Sequence, residues 1–196
     1  MRKALLIIVG FLLYLCSINV FAKIYIADFY AASSERSLKV KENVLAERYI
    51  DKAIALNSQE PKYYRTKAKI LLAKLVEVEL NDQPSIKKEA LQYMELARGL
   101  NGKNLATLRN STPLYYFLTI KDFSKPADIE NIDQDYLDIT RDYYLFLRNT
   151  YPNDLGILVE LAKYQRRLGM GEDYENTKKM VGELRPEILE WNESFR

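Results

Sequence analysis

The chain has no histidine and one cysteine among its 196 residues. Without histidine there can be no Ser-His-Asp or Cys-His nucleophile, no HExxH motif and no Cys/His zinc cluster. A lone cysteine, Cys16, forms no internal disulfide, so an exported body would be held by packing alone. Only seven glycines and six prolines occur, too few for a long disordered segment. The glycines are isolated or sit in turns, which excludes a glycine-rich phosphate loop. Charge imbalance is also lacking. The net charge of +2 is accounted for by Arg2 and Lys3, and the other 27 basic residues meet 27 acidic ones. A neutral body carries no electrostatic footprint for nucleic acid or for an anionic membrane surface. The acidic run Asp128, Glu130, Asp133, Asp135, Asp138 lacks the central glycine and terminal glutamate of a calcium loop. It reads instead as acid complementing the positive end of a helix. No cofactor and no metal ligand set is expected, and hence no enzyme.

What is present begins with an apolar run. Residues 4–22 carry no charge and twelve residues from Leu, Ile, Val and Phe. At ~0.3–0.6 kcal/mol each these supply roughly 4–7 kcal/mol toward insertion, and nineteen residues just suffice to span a bilayer. Arg2 and Lys3 hold the N-terminus in the cytoplasm, which puts everything after Ala22 outside. Cleavage after Val20-Phe21-Ala22 would instead make residues 1–22 a signal peptide and the body secreted. Tyr25, Phe29 and Tyr30 follow at headgroup level as interfacial anchors, which favours a retained span. Leu15 before Cys16 argues against a lipoprotein site.

Beyond it a block recurs. Ala46, Tyr49, Ile50, Ala53, Leu56 and Asn57 return 44 residues later as Ala90, Tyr93, Met94, Ala97, Leu100 and Asn101. Recurrence at a fixed offset implies stacked units, and alanines two turns apart let neighbouring helices approach closely. Turn formers follow each block, and Pro61 opens the next helix. The expected helices cover 33–56 after a cap at Ser33-Ser34-Glu35, then 61–81, 84–100, 103–122 with a kink or split near Pro113, and 133–150. Residues 124–128 form a loop. A hairpin of 155–168 and a partner from Tyr174 to Leu184 follows. A last helix from Pro186, bearing Trp191 and Phe195, docks as a cap.

These residues resemble the tetratricopeptide repeat family. Ala46, Ile50 and Ala53 fall on its small-large-small signature, Tyr64 where a large aromatic is usual and Ala68 where a small residue is. Ser58 and Lys67 depart from the usual proline and leucine, and the offset of 44 residues exceeds the usual ~34, so helix 61–81 would be longer than normal. Together with the apolar run, the resemblance implies an all-α fold: an N-terminal transmembrane helix, then a stack of about three antiparallel helical hairpins with a C-terminal capping helix. Residues 1–32 would be membrane anchor and juxtamembrane helix, and 33–196 the repeat domain. The alternative is an ordinary antiparallel bundle.

Most of the fifteen tyrosines fall at helical spacing beside Ala and Leu and read as core. In such a superhelix the first helices line the concave face. Lys62, Arg65 and Lys69 share one face of their helix, and Lys163 and Arg166 could take the analogous place later. A basic inner groove suits an acidic peptide or an anionic glycan; the plainer reading is a solvated helix face. One apolar span running into helical hairpins also resembles the extracytoplasmic tail of bacterial O-antigen ligase and polymerase-type membrane proteins, through Ala53-Ile54-Ala55-Leu56-Asn57 and Tyr151-Pro152-Asn153-Asp154-Leu155-Gly156. That likeness implies an envelope scaffold whose partner is a protein, peptide or membrane-embedded, or an accessory subunit or detached tail in glycan assembly. The many-span catalytic body of that family is missing, so no catalytic residue carries over.

Overall fold

The computed structural model describes residues 2–79, 81–125 and 128–195, with side chains from Val9 onward except at position 129. The side chains of Arg2 and Lys3, on which the expected orientation rests, lie outside it, as do Pro126 and Ala127 of the expected loop. Among the described residues every regular element is helical, with one isolated bridge between Ile120 and Ile132.

The first helix, α1, runs unbroken over Arg2–Lys39. Its residues 9–26 are exposed, and burial begins at Ala27. A stretch of mean hydropathy 1.8 makes it long and apolar enough to cross a membrane or act as a signal sequence. The expected start at Ser33 is absent, because both serines serve inside the helix. Ser33 Oγ donates to the Phe29 carbonyl at 2.9 Å, and buried Ser34 donates to Ala46 O at 2.7 Å. The break comes instead at residues 40–42. Glu42 N–H reaches back to Ser37 O and Lys41 N–H to Leu38 O, with Lys41 in the left-handed region at φ 63°. This pair of bonds satisfies the last carbonyls of α1. Helix α2 (Asn43–Leu56) then buries Ala46, Ile50 and Ala53.

Helix α3 (Pro61–Lys74) starts where Pro61 and the Glu60 side chain, which accepts from Lys62 N–H, predict. It stops at Lys74, seven residues short of the expected end. Leu75 is buried and Val78 packs on the core from a turn, so the apolar period outran the helix. The 44-residue offset is therefore taken up in the 75–82 connection, whose Leu75 carbonyl accepts from Gln83 Nε2 at 3.1 Å. Helix α4 (Gln83–Leu100) buries Ala90, Met94 and Ala97. Lys67, where leucine is usual, is 4% exposed and bonds Asp51 at 2.7 Å and Glu47 at 2.9 Å. Lys74 also reaches Glu47, at 2.8 Å. A buried ammonium is tolerated only with such partners.

Helix α5 (Leu105–Leu118) is capped by Asn104, whose side chain accepts from Thr107 N–H. It runs through Pro113 as one element and ends before the expected 122. Helix α6 (Gln134–Thr150) fastens to it with hydroxyls: Tyr143 donates to Leu108 O at 2.6 Å, Tyr144 to Thr112 O at 3.1 Å, and Thr140 to Tyr115 O at 3.0 Å. Tyr115 and Tyr143 stack with ring centroids 3.8 Å apart. The 119–133 connection is pinned to α4 by buried Lys87, 3.2 Å from Asp133.

Helix α7 (Leu155–Arg167) is capped by Asp154 and closes on Gly169 at φ 68°. It is followed by α8 (Gly171–Leu184) and a four-residue α9 (Ile188–Trp191). Phe195 is 7% exposed against Leu158, Ala162 and Val181, as a cap requires. Trp191, expected beside it in the cap, is 60% exposed and lies outside that cluster. Each helix packs on its successor, and α1, α3, α5 and α7 touch in turn. The buried apolar residues accordingly form three clusters along the chain, centred on α1–α3, α3–α7 and α7–α8.

Candidate docking grooves on the odd-numbered helices

Helix α3 buries a wide arc that includes Tyr63, Thr66, Lys67 and Ile70. The stripe left over, Arg65, Lys69, Ala73 and then Val76, faces α5 across an open groove of about 540 Å³. Its lining is largely apolar, with Leu72, Val76, Pro113 and Leu114 joined by Phe117 and by Phe123 from the 119–133 connection. Val76 is 70% exposed. Pro113 adds its apolar ring to the groove wall from α5.

The five basic residues singled out from the sequence divide among three settings. Arg65 and Lys69 line the α3/α5 groove. Arg65 is half-buried, and burial lowers the pKa of its guanidinium, against the opposing pull of Glu60 and Glu35. Neither Arg65 nor Lys69 forms an ion pair among the described residues. Lys62 does not line that groove; it pairs with Glu35 at 3.2 Å. Lys163 and Arg166 sit beyond α5, in a second trough over α7.

That second trough is polar. Lys163, Arg166 and Arg167 line it with Trp191, Asn192 and Ser194, in a volume of about 700 Å³. A continuation toward α5 is lined by Arg109 and Glu160, paired at 3.3 Å. Burial raises the Glu160 pKa even against Arg109. Sequence reasoning missed Arg167 and the two phenylalanines of the first groove, and placed Trp191 in the terminal cap. Only Trp191 left a signal there, as a large aromatic outside the apolar helical period.

Chemically, both grooves offer binding surfaces. Among the described residues no group of three His, Cys, Asp or Glu side chains could hold a metal ion. In the acidic run, Asp133 faces Lys87, Asp128 accepts from Asn131 N–H and Asp138 lies 3.6 Å from Arg141. No family model, no curated protein and no solved structure matches the chain.

Proposed function

We propose that this chain is a membrane-anchored, extracytoplasmic scaffold with a tetratricopeptide-like stack of helical hairpins, whose α3/α5 groove docks an acidic, partly apolar segment of an envelope protein. It is read as a binding protein without catalysis. The observation that carries this is the groove itself: a largely apolar lining with two cations at its edge, Arg65 and Lys69, neither in an ion pair among the described residues, and with Glu35, already paired with Lys62, as its one acid. Serial packing of α1 to α8, and contact between successive odd-numbered helices, supports the stack. The length and apolar character of α1, followed by Tyr25, Phe29 and Tyr30 as interfacial anchors, support a retained span. With burial starting at Ala27, about 8 Å along the helix from Ala22, the body would stand directly on the membrane surface.

A photo-crosslinking residue at Val76 tests the docking. The expected result is a discrete adduct that an acidic competitor peptide removes and that Arg65→Glu with Lys69→Glu abolishes. Equal labelling from position 179, on α8, would overturn it.

A second reading, an accessory subunit or detached tail of an O-antigen ligase or polymerase-type system, draws support from the polar, basic trough beside Trp191. Recovery of a multi-span glycosyltransferase as the main Val76 adduct would favour it, and soluble envelope proteins alone would favour the first reading.

A further inference from the structure

Trp191 is the only tryptophan of the chain, and the fold holds it at the surface while fixing the segment that follows it. Immediately after it, Asn192 Oδ1 accepts from Ser194 N–H at 2.9 Å, Arg166 Nη1 donates to Glu193 O at 3.1 Å and Tyr174 OH donates to Ser194 O at 3.2 Å. Phe195 then plugs the last apolar cluster. The indole is therefore displayed on an anchored segment, although its burial would stabilise the fold more than that of any smaller side chain. Around it stand Lys163, Arg166 and Arg167, none in an ion pair among the described residues; Glu193 is the one acid at this end, and Glu160, in the continuation toward α5, is already paired with Arg109. The charge that the trough leaves unmet is positive.

We infer that the trough beside Trp191 is a binding site for an acidic saccharide, one bearing carboxylate or phosphate groups. The indole offers a single flat apolar face, suited to the C–H face of one sugar ring. Lys163 and Arg167 offer charge-assisted bonds to the anion, and Asn192 with Ser194 offers polar groups for hydroxyls. The chemistry differs from that of the α3/α5 groove, whose Leu, Val and Phe lining has little to offer hydroxyls and suits apolar side chains. A nucleotide base is less well served, because the trough has one aromatic wall where base recognition gains from stacking plus edge contacts. The site stands on its own residues and does not depend on the protein-docking groove.

The sole tryptophan makes the test direct. Full-length protein in detergent is titrated with tetragalacturonate while Trp191 emission is followed, with maltotetraose, tetraglutamate and AMP as comparison ligands. The expected result is a saturable change with tetragalacturonate alone, weakened about tenfold or more in Lys163→Glu/Arg167→Glu. Neither residue bonds the 192–195 segment, so the double variant should keep the wild-type melting temperature. Calorimetric titration of Trp191→Ala, which removes an exposed side chain, should show the same loss. Absence of a saturable change up to about 10 mM, well past the millimolar range of weak binding, would overturn the site. So would unchanged affinity in the folded double variant. An equal or stronger response to tetraglutamate or AMP would overturn the saccharide assignment.

Discussion

In α4 the buried face reads Ala90, Met94, Ala97; in α6 the corresponding positions read Thr140, Tyr144, Leu147. The correspondence is fixed by the closing bonds, Asn101 N–H to Ala97 O and Tyr151 N–H to Leu147 O. Both trios are buried, yet they hold their neighbours by different means. Alanines bring α4 close to α3 and leave the fit to aliphatic contact. Helix α6 stands off on tyrosines and recovers the contact with hydroxyl bonds into the carbonyls of α5. One architectural place thus accepts two chemistries, and the recurrence is visible in the sequence only where both copies use alanine.

The comparison can be broken at either helix. Tyr144→Ala should produce the largest effect, about 3–5 kcal/mol of lost stability from the cavity and the lost hydroxyl bond to the Thr112 carbonyl. Denaturant unfolding measures it, and a loss below 1 kcal/mol would mean that α6 is not held through this ring. Ala97→Leu should cost about 1–3 kcal/mol by overpacking at a fully buried contact. The same change at exposed Gly99 should cost nothing comparable, and an equal response at the two sites would contradict close approach at Ala97.

A second pair of positions explains what was legible and what was not. Helices α1 and α7 end in the same turn, with Glu42 N–H to Ser37 O in one and Met170 N–H to Gln165 O in the other. Gly169 announces the second, since glycine takes φ 68° freely; Lys41 hides the first, carrying a side chain at φ 63°. For that reason the α1–α2 boundary was unreadable, and Ser33 and Ser34 looked like its cap. Lys41→Gly should stabilise the protein by about 0.5–1 kcal/mol; a lower melting temperature would mean that the lysine is held there by contacts of its own. The apolar period likewise could not say that Leu75 and Val78 face the core from a turn. At the surface, the α3 stripe of Arg65 and Lys69 was readable from helical spacing. Its floor was not, because Phe117 and Phe123 come from elements whose packing no local pattern specifies.

The smallest expected effect is with pH. Burial opposes charge on both Glu47 and Lys67, but their mutual bonds, with Lys74 and Asp51, outweigh it. The folded pKa of Glu47 is therefore lowered, so its contribution is present above the ordinary carboxylate range and lost as pH falls through the folded value. That of Lys67 is raised, so its contribution is full below the ordinary lysine range and lost as pH rises through the folded value. With no histidine in the chain, the melting temperature should be nearly level from about pH 6 to about pH 8. A steep slope there would show that this network is not held as described.

The proposed scaffold role rests on α1 keeping the body at a membrane. Extraction of membranes with alkaline carbonate tests that most directly. The full-length chain should stay in the pellet, held by residues 4–22. Release into the supernatant of a shorter chain beginning at Lys23 would contradict the account.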